Sequence, residues 1–154
     1  MRGVAAGAAL LVLLTGCGGG DDDPYAVPER FEDYCEEVEA QQVLISDALS
    51  AGGDTSGLIK ALPSFEALAA KSPDDIAEEW ETVVDRIHDL VAALDAAGVD
   101  PDTYDRKDPP AGLDPDAKDD IDAAATALVS ATTASAIADV QQHARDVCKT
   151  PLTL

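Results

Sequence analysis

The stretch Ser72–Gly98, SPDDIAEEWETVVDRIHDLVAALDAAG, carries the clearest helical pattern in the chain. Its large apolar residues recur every three or four positions, as they do on one face of an α-helix: Ile76, Trp80, Val83, Val84, Ile87, Leu90, Val91 and Leu94. A capping serine, a first-turn proline and two acidic residues predict its start at Ser72–Asp75, and Gly98 predicts its end. We therefore expect one buried face here, with Trp80 in the core and not serving as a platform for a ligand.

The chain before this stretch shows the same spacing. Residues 29–50 form a first predicted helix, which Gly52-Gly53 should end. Residues 55–71 form the second pass, but Pro63 lacks an amide donor and disfavours helix in the residue before it. This second pass is therefore predicted as two short helices, with Ser64 capping the later one.

A final helix is predicted from Asp114-Pro115 to Cys148, after an irregular acidic loop at residues 99–113. Its middle, Ser130–Ser135, consists of small residues with weak helix propensity, which suggests close approach of a neighbouring helix. No run alternates with period two for long enough to form a strand. The sequence thus predicts an all-α fold, an antiparallel up-down bundle of about four helices whose second pass is broken at Pro63.

The beginning of the chain has the parts of a secretory signal: basic Arg2, an apolar run from Ala5 to Leu14, and small residues behind it. The apolar run has about ten residues, whereas a membrane-spanning helix needs roughly 20. The tetrad Leu14-Thr15-Gly16-Cys17 resembles the bacterial lipobox, in which the cysteine is lipidated and the preceding signal is removed. An ordinary cleaved signal with an incidental cysteine is the alternative.

The lipobox resemblance implies a signal peptide at residues 1–16 and a lipid anchor on Cys17. Two acyl chains on one cysteine are enough for stable anchoring, where one is marginal. Residues 17–28 then act as a flexible, Gly-rich and acidic tether, and residues 29–154 form a single helical domain. The predicted location is the outer face of the cytoplasmic membrane.

Outside the cytoplasm, the two remaining cysteines, Cys35 and Cys148, are expected to form a disulfide. Cys35 lies near the start of the first helix and Cys148 at the end of the last. If the chain crosses the bundle an even number of times in alternating directions, both cysteines lie at the same end of the bundle. The alternative is two unpaired small apolar residues. In this register Gln42 and Gln141, each seven residues from its cysteine, are predicted to contact one another.

Charge excludes several classes of function. The formal net charge is −21, and removal of the signal with Arg2 changes it to −22. Such a field repels nucleic acid and anionic lipid headgroups. A hydrophobic fraction of 46% still distinguishes the chain from a disordered acidic tail.

The densest group of possible cation ligands lies between residues 100 and 122: Asp100, Asp102, Asp105, Asp108, Asp114, Asp116, Asp119, Asp120 and Asp122. Calcium takes six to eight oxygen ligands, so an Asp-rich loop is where such a site would form. Neither register of an EF-hand loop fits, because the sixth position is Asp105 or Asp119 and not glycine. A solvated loop followed by helix-capping acids is the simpler interpretation.

No catalytic constellation is found, and neither an enzymatic activity nor a cofactor is predicted. His88 and His143 have aspartates at helical spacing, a pattern typical of surface ion pairs and not of a metal site. Glu78-Glu79 are adjacent on a helix and point apart, which makes them poor acid–base partners. Nucleophile, phosphate-loop and zinc-protease motifs do not occur, and no cysteine is left over for catalysis.

The region from Cys35 to Cys148 resembles small helical lipoproteins and exported proteins of high-GC Gram-positive, actinobacterial type. In those, a cysteine opens the first helix, a segment like Ser72-Pro73-Asp74-Asp75-Ile76-Ala77 opens a middle one, and a cysteine ends the last. The resemblance implies a helical bundle outside the membrane and supplies no activity.

Two functions remain open. The favoured hypothesis is a non-catalytic, membrane-anchored binding or interaction module of the cell envelope, with an envelope protein as partner. The other is capture of a small molecule or a calcium-like cation that uses residues 99–122. A deep apolar pocket would favour an organic ligand, whereas an exposed apolar patch would favour a protein partner.

Overall fold

The computed structural model describes residues 26–154, without detail for the side chains at positions 53 and 54. The predicted signal peptide, Cys17 and most of the tether lie outside these residues. Within residues 26–154 the chain is all-helical and has no β-strand, with four α-helices: α1 (Glu32–Ala70), α2 (Ala77–Ala96), α3 (Pro115–Leu128) and α4 (Ala131–His143). Short 3-10 turns occupy Glu29–Phe31 and Pro101–Thr103, and a π-helical turn occupies Ala144–Cys148.

Helix α1 folds back on itself. Its 39 residues would extend about 58 Å if straight, yet Lys71 Nζ, just beyond its end, lies 3.1 Å from Glu37 Oε2 near its start. The reversal falls between Gly52 and Gly57, where a Cβ atom at Gly57 would lie 3.0 Å from the Cα of Leu49. The prediction that Gly52-Gly53 ends the first helix is therefore wrong, because helical backbone continues through these residues, although the chain changes direction next to them.

The predicted break at Pro63 is wrong, because α1 passes through this residue. Proline removes one intrahelical hydrogen bond, but here it is exposed, and buried side chains on both sides of it hold the helix against the core: Ile59, Ala61, Phe65 and Leu68. Ser64 lies inside the helix and is buried, so its predicted role as a cap is also wrong.

Helix α2 begins later than predicted. Residues 74–76 form a turn, Ile76 is the N-cap residue, and the Ser72 hydroxyl donates to the carbonyl of Ala69 at the end of α1. The end of α2 is as predicted. Gly98 adopts a left-handed conformation (φ 67°), and the amide of Val99 donates to Leu94 O over 2.9 Å, which closes the last turn.

The predicted last helix consists of two helices. Asp114 caps α3 as expected, but the chain bends by 42° after Leu128, and Ser130 caps α4. The small residues at this break explain both features, because a serine is a good cap and a poor helix former. Thr133 and Ala136 are buried where α4 packs against α2.

The core forms around α2, which packs against α1, α3 and α4. Its buried face carries Trp80, Val83, Ile87, Leu90 and Leu94, which confirms the helical pattern and the core position of Trp80. The predicted disulfide is present: Cys35 and Cys148 are bonded, with their Cα atoms 5.1 Å apart. The beginning of α1 is thereby fastened to the end of the helical chain.

Candidate interaction surface and apolar cavity

The last six residues, Lys149–Leu154, form a segment that we call the C-terminal strap. Lys149, in a left-handed conformation (φ 59°), ends the π-helical turn and directs the strap across α1. The Gln42 side-chain amide donates to Pro151 O over 2.7 Å, and the amide of Leu154 donates to Ser46 Oγ over 2.9 Å. Gln42 therefore bonds to the strap, and among the described residues it makes no hydrogen bond to Gln141, the residue with which a contact was predicted.

Three large apolar side chains in this part of the chain are exposed, two on α1 directly after Gln42 and one at the end of the strap. Val43 is 52% exposed, Leu44 is 57% exposed, and Leu154, whose amide bonds to Ser46, is 82% exposed. We call these three residues the apolar edge. Complete burial of a fully exposed Val or Leu side chain supplies about 1.5–3 kcal/mol, and each of these partly exposed side chains forgoes a part of that.

Acidic residues on the same helix flank the Val43 part of the apolar edge. Glu36, Glu39 and Asp47 are exposed and lie one or two turns from Val43. Apolar surface rimmed by charged groups is typical of a protein-binding site. A partner that presents basic groups around an apolar centre would complement these acidic residues.

A small apolar cavity lies beneath the strap. Its volume is about 50 Å³, and its walls come from α1, α2, α4 and the strap itself: Ile45, Phe65, Trp80, Val83, Val140 and Leu152. The ring centroids of Phe65 and Trp80 lie 5.9 Å apart on one side of this space. Leu152 is only 4% exposed, so the strap closes the cavity with an alkyl side chain.

A buried aromatic and polar cluster lies next to the disulfide. The Trp80 indole Nε1 donates to Tyr34 Oη over 3.1 Å, and the rings of Phe31 and Tyr34 contact the His143 ring edge-on, with centroids 5.7 and 5.5 Å away. Burial raises the pKa of Tyr34, the hydrogen bond from Trp80 opposes this, and the negative charge of Asp75 adds to it. The tyrosine therefore stays neutral and accepts the indole hydrogen bond.

The histidines differ from the prediction in their partners. His88 Nε2 lies 2.8 Å from Glu66 Oε1 of α1, in place of an aspartate on its own helix. His143 Nε2 lies 3.5 Å from Asp75 Oδ1, outside α4, and neither ring nitrogen makes a hydrogen bond within the described residues. In residues 26–154 no group of three or more His, Cys, Asp or Glu side chains is arranged to hold a metal ion.

The acidic loop uses several of its aspartates to cap turns. Asp100 Oδ1 accepts from the amide of Asp102, Asp105 Oδ1 from that of Lys107, and Asp114 Oδ1 from that of Asp116, over 3.0, 2.8 and 2.9 Å. These bonds favour the capping interpretation of the aspartates over a calcium site. The loop also has two buried residues that the sequence analysis did not identify as anchors, Val99 and Tyr104.

Glu78 and Glu79 are neighbours in the first turn of α2. Both line one shallow groove between α2 and α4, together with Asp139 and the hydroxyl residues Thr132 and Ser135. The groove has a volume of about 500 Å³ and is broadly open to solvent. Carboxylates in contact with water keep their charges hydrated, so the groove resembles an ordinary acidic surface.

The apolar edge and the strap were missed by the sequence analysis. A signal for the edge does exist, because Val43-Leu44-Ile45 are three consecutive apolar residues and a helix cannot turn all three toward one core. Only Ile45 is buried. No periodic pattern marks the strap, whose buried Leu152 stands alone after Pro151.

Among the described helices, none alone has the length and apolar character to span a membrane, although the bent pair α3 and α4 with its π-helical turn meets the criterion in combination. No protein family, curated protein or solved structure shows significant similarity to this chain. The fold and the candidate sites define it as an all-α protein closed by one disulfide, with an apolar edge on an acidic surface.

Proposed function

We propose that this protein is a non-catalytic lipoprotein, anchored through Cys17 to the outer face of the cytoplasmic membrane, that acts as an interaction module of the cell envelope. The lipobox-like tetrad supports the anchor and the location. The observation that carries the interaction role is the apolar edge, which leaves Val43, Leu44 and Leu154 exposed to solvent in an acidic protein. A partner that covers this edge would recover the free energy of their burial.

We also propose that the helices form four antiparallel passes. The two halves of α1, helix α2, and the bent pair of α3 and α4 would be the passes. The reversal of α1, the modest 42° bend between α3 and α4, and the disulfide between the two ends of the helical chain support this arrangement. Such a bundle would present the apolar edge on a rigid support.

A second candidate function is capture of a small molecule. The apolar cavity beneath the strap favours an organic ligand, because its walls are aliphatic and aromatic. A calcium-like cation at residues 99–122 is less well supported, because three aspartates of this region already accept hydrogen bonds from backbone amides. A melting temperature that does not change in millimolar calcium, at fixed ionic strength, would remove the cation.

Two variants separate the anchor from the interaction. Cys17→Ala should release the protein from the membrane fraction and abolish the mass added by lipid. Val43→Ser combined with Leu44→Ser should keep the anchor and lose the partner in affinity capture from gently solubilised membranes. Val129→Ser is the matched control, because Val129 is equally exposed but lies at the end of α3.

The expected result is one partner that Cys17→Ala or the double serine variant loses and Val129→Ser retains. Equal recovery of that partner with the double serine variant would show that the apolar edge is not the interaction surface. An unlipidated wild-type protein would contradict the anchor without affecting the test of the edge.

A further inference from the structure

We propose that the cavity beneath the C-terminal strap is a binding site for one neutral alkyl chain, and that Leu152 occupies this site until the chain displaces it. The inference goes beyond the interaction role, rests on the second candidate function by naming its ligand class, and does not depend on the lipid anchor. It rests on the composition of the cavity walls, on the way the strap is held, and on the side chain that the strap places inside.

The walls select for an alkyl chain. No charged residue lines the cavity, and the polar side chains at it, Gln141 and Thr153, are neutral. An ionised headgroup placed inside would lose its hydration without a counter-charge, which excludes charged ligands from the interior. The high negative charge of the protein also disfavours anions at its surface.

The size of the cavity requires the strap to move. A volume of about 50 Å³ accommodates only a few carbon atoms, so the closed form is too small for a longer chain. The Leu152 side chain adds the volume of its own four carbons when it leaves. The side chain that leaves is itself an aliphatic group in the cavity wall, and a ligand of the same chemistry would take its place.

The strap is held in a way that allows this exchange. Apart from the burial of Leu152, two hydrogen bonds to α1 hold it, from Gln42 to Pro151 O and from the amide of Leu154 to Ser46 Oγ. The disulfide at Cys148 fixes the residue just before the strap. The strap can therefore lift from α1 while its origin stays in place beside the cavity.

Trp80 makes the site directly observable. It is the single tryptophan of the chain and lines the cavity. Bromine quenches indole fluorescence on close approach, so 8-bromo-1-octanol should quench Trp80 in a saturable manner and 1-octanol should reverse the quenching. Residues 17–154 with Cys17→Ala are used, because without the apolar signal and the lipid they need no detergent that would compete for the probe.

Two substitutions should change the affinity in opposite directions. Leu152→Ala removes the competing side chain and should tighten binding of 8-bromo-1-octanol about ten-fold, because the competent open form is then the populated one. Ile137→Phe, at a half-buried wall position, fills the cavity and should abolish saturable quenching. Leu154→Ala is the control, since it alters the same strap at an exposed side chain and should leave the affinity unchanged.

Equal quenching of the wild type and Ile137→Phe would overturn the proposal, because the probe would then be reaching Trp80 without using the cavity. A folded Leu152→Ala variant that binds no more tightly than the wild type would also overturn it. Circular dichroism establishes whether each variant is folded. If Leu152→Ala does not fold, the comparison of Ile137→Phe with the wild type decides alone.

Discussion

Glu37 and Lys71 stand 34 positions apart in the sequence, yet Oε2 of the first lies 3.1 Å from Nζ of the second. This ion pair joins the beginning of α1 to the residue just after its end, so it reports that the two halves of the helix run side by side. The side chain of Gln41 donates to the other carboxylate oxygen of Glu37 over 2.7 Å. The pair therefore belongs to a small polar network on the outside of the hairpin.

Lys71→Met should lower the free energy of unfolding by less than about 1 kcal/mol, because Lys71 is half exposed and solvent screens its charge. The hydrogen bond from Gln41, followed by Lys71, lowers the pKa of Glu37. Its contribution to stability is therefore present above the unfolded-state value of 4.5 and is lost as the pH falls through the lower folded-state value. Urea unfolding at pH 7 and pH 3 measures both effects, with Lys60→Met, at an exposed lysine within α1, as the control. If the free energy of unfolding fell by much more than about 1 kcal/mol at pH 7, the ion pair would contribute more than the buried core to holding the two halves of α1 together.

Gly57→Ala should destabilise the protein by about 1–3 kcal/mol, as overpacking does at close backbone contacts. A Cβ atom at this position would lie 3.0 Å from Leu49 Cα and 3.2 Å from Leu49 O, both of them backbone atoms that cannot rotate away. Ser50→Ala, an exposed position in the same helix, is the control and should be neutral or slightly stabilising. Thermal unfolding measures both. A neutral Gly57→Ala would show that the reversal has room to relax.

Local pattern predicted the helices and their buried faces well, because periodicity reports which residues face a core. It failed where tertiary packing outweighs propensity. Pro63 was expected to break α1, but the buried residues around it compensate for one lost hydrogen bond. Ser130 was expected inside a helix, but the helix breaks there, because the segment has weak helix propensity and Ser130 caps α4. The strap could not be predicted, because a single buried leucine after a proline has no period to detect.

Replacing both Cys35 and Cys148 by serine should lower the free energy of unfolding by about 2–4 kcal/mol. The disulfide spans 113 positions, and cutting it frees the unfolded chain from a large closed loop. The same loss should follow from adding reductant to the wild type in urea, and reductant should not affect the double variant. If reductant destabilised the double variant as well, its action would lie elsewhere than at this bond.

Tyr34 provides an alkaline test of the buried cluster. Its pKa is raised by burial, so between pH 10 and the folded-state value the unfolded chain loses a proton that the folded chain keeps. Stability is therefore fully present below pH 10 and falls as the pH rises through this interval. Tyr104, whose pKa is also raised mainly by burial, contributes in the same direction.

Tyr34→Phe should reduce this alkaline loss and, at pH 7, cost about 1–3 kcal/mol, because the buried Trp80 Nε1 loses its hydrogen-bond acceptor. Tyr104→Phe is the matched variant: it should reduce the alkaline loss without changing the environment of Trp80. Urea unfolding between pH 7 and pH 11, followed by Trp80 emission, separates the two. If Tyr34→Phe is as stable as the wild type at pH 7, the indole N–H must donate to water or to another acceptor. The cluster would then be more accessible to solvent than its burial implies.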